Sequence, residues 1–163
     1  MSINYLEGNA VEPIIKDGCK NVIIHITNNE QRWASGFVLA VSKKWKRPEK
    51  EYMNSVPILG NTQFIEVEPN LYVVNMCAQC GVRPIVSSGF KVPNLQYDAL
   101  YNCLLKIREE FPDDVRFHFP LIGAVRSGGD WRVISTLVEK ILGDSELYCY
   151  IYDEEHRYLL EKN

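Results

Sequence analysis

The hydrophobic residues of this chain follow two different periods, and the two periods alternate along the sequence. Residues 21–27 (NVIIHIT) are almost continuously apolar and β-branched, which is typical of a strand buried on both faces. Similar patterns predict strands at residues 3–6, 62–67, 71–76, 115–119 and 147–152. The segment Glu68-Pro69-Asn70 is predicted to be the turn between two of these strands.

Helical periodicity separates the predicted strands. Apolar residues recur at helical spacing in residues 35–45, 94–111 and 131–142. Pro48 is expected to end the first helix or to lie just beyond it. Asn94 is expected to cap the second helix, and Gly143 to end the third. Residues 78–93 are predicted to be a loop, and the charged residues 153–163 a short helix or a frayed tail.

This alternation defines the fold class. Strands that alternate with helices favour an α/β protein, here a three-layer α/β/α sandwich with a central mixed β-sheet. The length of 163 residues fits a single domain, residues 1–163, with residues 153–163 as its charged tail. Ligands of such sheets bind at the carboxyl ends of the strands.

Composition and charge narrow the function classes. A net charge of −3 argues against a dedicated nucleic-acid binder, and no apolar run reaches membrane-spanning length. The chain begins without a signal peptide and has five scattered cysteines, so a cytoplasmic location with reduced thiols is expected. Cys77 and Cys80 form a C-x-x-C pair without a second pair, and we therefore expect neither a metal nor a cofactor.

Two loops rich in small residues each precede a predicted helix. Residues 33–36 (WASG) follow the strand at 21–27, and residues 123–129 (GAVRSGG) follow the strand at 115–119. Backbone N–H groups of such loops and of the helix N-termini bind anions, phosphate above all. The first loop is equally explained by a helix start that needs small residues for packing. Because one small domain contains both loops, together they suggest a diphosphate held between them.

Five motifs carry a family resemblance over nearly the whole chain. They are residues 7–10 (EGNA), 25–28 (HITN), 33–37 (WASGF), 75–79 (NMCAQ) and 120–131 (PLIGAVRSGGDW). In this order and spacing they resemble the macro domain family, in the branch of phosphatase-like and ADP-ribosyl-glycohydrolase-like members. The resemblance implies the sandwich fold, with ADP-ribose or an ADP-ribose derivative as ligand and ADP-ribosylated macromolecules as further partners.

The resemblance also implies a role for individual positions. Asn9, with Ala10 beside it, stands where the family binds the adenine amino group through an Asp, and Asn28 matches the contact to the distal ribose. Tyr152 is expected to lie against the adenine. The loop on the distal ribose and its phosphate matches Ala34, Ser35, Gly36 and Phe37. The loop that holds the diphosphate matches Gly123, Ala124, Val125, Arg126, Ser127 and Gly128.

Several of these positions depart from the family pattern. Asn9 replaces an Asp but keeps an acceptor oxygen. Ala34 and Ser35 stand where glycine is usual, and added side chains there are expected either to crowd the distal ribose or to force another backbone path. Val125 and Arg126 replace a glycine and an aliphatic residue, and Arg126 either pairs with a phosphate or points to solvent. The substitutions leave the preferred ligand open.

His25 is the candidate catalytic residue, because imidazole exchanges protons near neutral pH. The alternative is a histidine satisfied within the core of its apolar strand. Asp130 is either a carboxylate that positions water or a residue favoured at a helix N-terminus. Three functions follow: hydrolysis of ADP-ribose 1″-phosphate or ADP-ribosyl esters, non-catalytic binding of ADP-ribose-like nucleotides as a sponge, and an interaction module that has lost the ligand.

Overall fold

Six strands form the central sheet of the protein, for which a computed structural model describes residues 2–160. In chain order the strands of the whole structure are β1 Ile3–Glu7, β2 Lys20–Asn28, β3 Thr62–Glu68, β4 Leu71–Gln79, β5 Ile85–Ser87, β6 Phe90–Val92, β7 Val115–Phe119 and β8 Glu146–Ile151. The sheet order is β1-β8-β7-β2-β4-β3, while β5 and β6 form a separate hairpin. Within the six-stranded sheet of residues 2–160, β3 alone runs antiparallel to its neighbour, so the predicted mixed sheet is confirmed.

Helices cover both faces of this sheet. They are α1 Phe37–Lys44, α2 Arg47–Met53, α3 Tyr97–Glu110 and α4 Trp131–Leu142, followed by a 3₁₀ helix at Glu154–Leu160. Side chains of β2 alternate between the two faces. Ile23 packs in a cluster with residues of α1 and α2, whereas Val22 and Ile24 pack with α3 and α4. The two clusters are the two interfaces of the predicted three-layer sandwich.

The segment after α1 is a second helix rather than an end to helical structure. Pro48 lies in the first turn of α2, where its missing N–H has no intrahelical acceptor to lose. Pro48 lies just beyond α1, as one of the two alternatives expected, but the second helix that contains it was not predicted. Seven residues are too few for a clear apolar period, and α2 buries only Pro48 and Tyr52.

Residues 78–93 also differ from the predicted loop. β4 continues to Gln79, and the β5–β6 hairpin occupies part of the segment. Asn94 does not cap α3, which begins at Tyr97. Its side-chain amide instead donates to the carbonyls of Cys80 and Arg83, at 3.0 and 2.8 Å, and so closes the loop behind β4.

The parallel strands end at one edge of the sheet. Residues 8–10 follow β1, residues 29–36 follow β2, residues 120–130 follow β7 and residues 152–153 follow β8. All of these connections therefore meet at the carboxyl edge, where α/β sheets bind ligands. Within the described residues, no helix is long and apolar enough to cross a membrane. Residues 161–163 of the predicted tail lie outside the described residues.

Candidate ligand-binding site

A cavity of about 570 Å³ opens at this carboxyl edge. Its wall combines the connections that follow β1, β2, β7 and β8 with the N-terminal half of α1. The predicted site residues in the wall are Asn9, Ala10, His25, Ser35, Gly36, Phe37, Gly123, Val125, Arg126, Ser127 and Tyr152. Residues from four separate parts of the sequence are thus brought to one cavity.

The first loop ends at an uncapped helix. Gly36 is the N-cap residue of α1, with φ 80° and ψ −146°, and no side chain accepts a hydrogen bond there. The Leu39 N–H donates to the Gly36 carbonyl at 3.1 Å, whereas the Phe37 and Val38 N–H groups have no acceptor among the described residues. These two groups therefore remain available to a ligand, and the helix dipole favours an anion. Trp33 connects the first loop to α1, because its indole N–H donates to Ser42 Oγ at 2.5 Å.

The second loop is closed by its own backbone. The Gly129 N–H donates to the Gly123 carbonyl at 2.8 Å, and the Ala124 N–H donates to the Leu121 carbonyl at 3.3 Å. Among the residues that the structure describes, the amides of residues 125–128 have no acceptor. This run of free N–H groups is a second feature that suits a phosphate.

Arg126 joins the two loops. Its side chain lies across Gly36, so that a β-carbon at Gly36 would be only 3.2 Å from the arginine Nε. Lys43 and His156 add two further basic side chains to the wall, and Asp153 adds an acidic one. The cationic guanidinium therefore stands beside the N-terminus of α1 and the free amides of the second loop.

Asn9 and Tyr152 lie at the other end of the cavity, because β1 and β8 are neighbours. The Gly8 N–H donates to the Ile151 carbonyl at 3.1 Å, which holds the two connections together. Tyr152 lines the cavity and is 80% exposed. The Asn9 side-chain oxygen accepts the Val11 N–H at 3.1 Å.

The protonation of His25 follows from its partners. His25 Nε2 lies 2.6 Å from the Asn75 side-chain oxygen. The Asn75 amide nitrogen donates to the Pro48 carbonyl and to Gln63 Oε1, each at 3.0 Å, so the Asn75 oxygen must face the histidine. Neutral His25 therefore carries its proton on Nε2.

The other ring nitrogen, Nδ1, is buried and has no hydrogen-bond partner in the described structure. Burial lowers the pKa of His25 from 6.5 to about 4, which keeps the ring neutral at physiological pH. Phe37 and Trp33 pack on the ring, with ring centres 5.7 and 5.5 Å away, and leave His25 1% exposed. Its surroundings are those of a core histidine that also contributes to the cavity wall.

Four predicted site residues lie outside the wall: Asn28, Ala34, Ala124 and Gly128. The Asn28 side chain organises its own loop, because its oxygen accepts the Glu30 and Arg32 N–H groups and the Tyr52 hydroxyl. Ala34 is exposed and Ala124 is buried. Gly128 has φ 72°, and a β-carbon there would lie 3.6 Å from Pro93, which is not a wall residue either.

Several wall residues were not predicted: Lys43, Gln79, Asp153 and His156. Lys43 could have been found, because it lies seven positions after Gly36 and thus on the same helical face. Gln79 accepts the Ser127 hydroxyl at 2.5 Å and connects the end of β4 to the second loop. No local pattern in the sequence signals such a contact.

The remaining candidate chemistry has structural explanations. Asp130 is the N-cap of α4, and its carboxylate accepts the Arg132 N–H at 2.9 Å. Within residues 2–160, no three His, Cys, Asp or Glu side chains are grouped to hold a metal ion. Burial raises the pKa of Cys77 to about 11, so this thiol stays protonated.

Comparisons with known proteins identify the family. No protein-family model matches the sequence, and no curated protein sequence matches it. A solved structure of a protein of unknown function from Bacteroides thetaiotaomicron is 34% identical, with a TM-score of 0.81 over 93% of this chain and 98% of that one. A macrodomain protein from Streptomyces coelicolor is 30% identical, with a TM-score of 0.71 over 94% and 99% of the two chains.

The chain therefore belongs to the macrodomain family, as the five motifs indicated. More distant structures share the fold. The macrodomain of Trypanosoma brucei, solved in complex with ADP-ribose, is 15% identical, with a TM-score of 0.58 over 96% of this chain and 66% of that one.

Proposed function

We propose that this protein binds ADP-ribose or a related NAD-derived nucleotide in the cavity at the carboxyl edge of its sheet. The observation that carries the proposal is the anion site between the two loops. There the Arg126 guanidinium lies beside the uncapped N-terminus of α1, and the second loop adds the free amides of residues 125–127, which line the same cavity. A diphosphate supplies the negative charge that all three groups favour.

The two ends of the cavity suit the rest of the nucleotide. Tyr152 offers a ring for a base to stack on, and Asn9 offers a polar edge beside it. Ser35, Gly36 and Phe37 surround the opposite end, where a second ribose would lie. The volume is within the range of about 300–1,000 Å³ usual for small-molecule sites. ADP-ribose in the Trypanosoma brucei macrodomain, a protein of the same fold, supports this choice of ligand.

Hydrolysis of ADP-ribose 1″-phosphate or of ADP-ribosyl esters is the second candidate. His25 favours it through its position, because it lines the cavity and its Nδ1 has no hydrogen-bond partner in the described structure. Its lowered pKa of about 4 makes it a weak base, which favours binding without turnover. The cover of Phe37 and Trp33 over the ring favours binding without turnover. Binding alone would make the protein a sponge for the nucleotide or a reader of ADP-ribosylated macromolecules. The five cysteines form no disulfide within the described residues, and a cytoplasmic location is proposed for either role.

Calorimetric titration with ADP-ribose, together with phosphate release from ADP-ribose 1″-phosphate, tests both candidates. Saturable binding without release is the expected result. Release that is lost in a His25→Ala variant would establish the hydrolase instead. Absence of binding by either compound would contradict the proposal and leave an interaction module that has lost its ligand.

A further inference from the structure

The Asn9 side chain has a defined orientation at the base end of the cavity. Its oxygen accepts the Val11 N–H at 3.1 Å, and a backbone N–H can only donate. Val11 is 5% exposed, so water does not readily replace this acceptor. The carboxamide nitrogen therefore points away from Val11, and it has no acceptor among the described residues. Since Asn9 lines the cavity, its free N–H₂ group is what a ligand meets.

A hydrogen-bond donor at this position distinguishes two classes of purine. Adenine presents an amino group, itself a donor, at the position where guanine and hypoxanthine present a carbonyl oxygen. We propose that the site prefers nucleoside diphosphate riboses with a 6-oxopurine base over ADP-ribose, with Asn9 as the residue that decides. This inference rests on the proposed function, because it concerns the base of the same ligand.

Asp153 complements Asn9. It follows Tyr152 directly and lines the same cavity. One carboxylate oxygen accepts the Glu155 N–H at 3.0 Å, and the other has no donor in the part of the chain that the structure describes. A 6-oxopurine carries a hydrogen on N1, next to its carbonyl, whereas N1 of adenine is an acceptor. Asn9 and Asp153 therefore offer a donor and an acceptor in the same cavity, and a 6-oxopurine edge needs one of each.

Tyr152 does not discriminate between the two classes, because its ring stacks on either base. Adenine could use the Asn9 oxygen if the carboxamide turned over, but the Val11 N–H would then face the amide nitrogen. The loss of one buried hydrogen bond corresponds to about tenfold in affinity. ADP-ribose is thus expected to bind, and its 6-oxo counterpart to bind about tenfold more tightly.

The test is a calorimetric titration of the unaltered protein with ADP-ribose and with inosine 5′-diphosphate ribose, which differ only at the base. About tenfold tighter binding of the inosine compound supports the inference. Equal affinity, or tighter binding of ADP-ribose, overturns it and leaves the proposed function standing. If neither compound binds, the proposed function fails, and the inference fails with it.

Two variants assign the preference to residues. Asn9→Asp retains an acceptor for the Val11 N–H and places a second acceptor towards the base, so the order of the two affinities should reverse. Asp153→Asn retains an oxygen for the Glu155 N–H but loses the acceptor for N1–H, so the ratio of the affinities for the inosine compound and for ADP-ribose should decrease. Asp144→Asn, at an exposed position outside the wall, is the matched control and should leave the ratio unchanged. A ratio insensitive to Asn9→Asp would contradict the assignment.

Discussion

His25 and Asn75 occupy register-paired positions on the neighbouring parallel strands β2 and β4, and their side chains are joined by a 2.6 Å hydrogen bond. Asn75 is itself oriented by the Pro48 carbonyl and by Gln63, and Gln63 in turn donates to the Glu51 carbonyl at 3.0 Å. The Pro48 and Glu51 carbonyl groups can only accept hydrogen bonds, and these two acceptors fix the donor and the acceptor of every hydrogen bond in this network. The result is a single tautomer of neutral His25, protonated at Nε2.

Nitrogen-15 NMR of the imidazole should show this tautomer directly. At pH 7 we expect a protonated Nε2 and an unprotonated Nδ1 for His25. In Asn75→Leu, the Nε2–H loses its acceptor, and we expect mixed tautomers with a free energy of unfolding lower by about 2 kcal/mol. Asn4→Leu removes an exposed asparagine as a control and should cost less. A protonated Nδ1 in the unaltered protein would refute the assigned donors and acceptors of this hydrogen-bond network.

The free energy of unfolding should decrease as the pH falls from 7.5 to 5.5. Burial lowers the pKa of His25 to about 4 and that of His118, beside Arg116, to about 3, from 6.5. The unfolded chain therefore takes up protons first, and stability present above pH 6.5 is lost as the pH falls towards these folded-state values. For two histidines the loss over this interval is about 3 kcal/mol.

Urea denaturation at pH 7.5, 6.5 and 5.5 measures this loss, in a range above the titration of most carboxylates. His25→Gln removes one of the two groups and should roughly halve the pH dependence. The same slope in the variant and in the unaltered protein would mean that His25 is accessible to protons in the folded state.

Gly36→Ala should weaken both the fold and ligand binding. With φ 80°, an alanine is strained by about 1 kcal/mol, and its β-carbon would displace the Arg126 side chain. Gly18 is the matched control, because it has φ 82° and no atom within 4 Å of the added carbon. Both variants should lose similar stability in thermal denaturation, but only Gly36→Ala should also lose ADP-ribose affinity. If the two variants bind ADP-ribose with equal affinity, Arg126 does not contact the ligand.

Arg126→Ala should reduce the affinity for ADP-ribose about tenfold, because a charge-assisted hydrogen bond to phosphate is lost. The salt dependence of binding should fall with it. Arg83→Ala removes the same charge from an exposed position outside the wall and serves as the control. Calorimetry at two salt concentrations distinguishes the two variants. If the affinity for ADP-ribose is unchanged in Arg126→Ala, the Arg126 side chain points to solvent and not to the phosphate.

Much of the fold could be predicted because its signals are local. The strand β7 and the helix α4 were predicted at their observed bounds, Val115–Phe119 and Trp131–Leu142. The β5–β6 hairpin and α2 were missed, since each is short and the hairpin is largely exposed, so neither shows a full apolar period.

The site was predictable only as a set of segments. The motifs located both loops and the strand ends, but they did not indicate which side chains face the cavity. Asn28 matches its motif, yet its side chain forms hydrogen bonds with Glu30, Arg32 and Tyr52. Lys43 belongs to the basic run 43–47 (KKWKR), and a basic side chain in the last turn of a helix is by itself explained by the helix dipole, yet Lys43 lines the cavity.

The sequence by itself determined the alternation of strands and helices, the mixed sandwich and the macrodomain motifs, because these depend on neighbours within one or two turns of chain. Only the tertiary structure decided the pairing of His25 with Asn75, 50 positions away, and the nearness of Asn9 to Tyr152. It also decided that Arg126 lies across Gly36. Hydrogen bonds and charges act over a few ångströms in space, and no period along the chain records which distant residues the sheet brings within that reach.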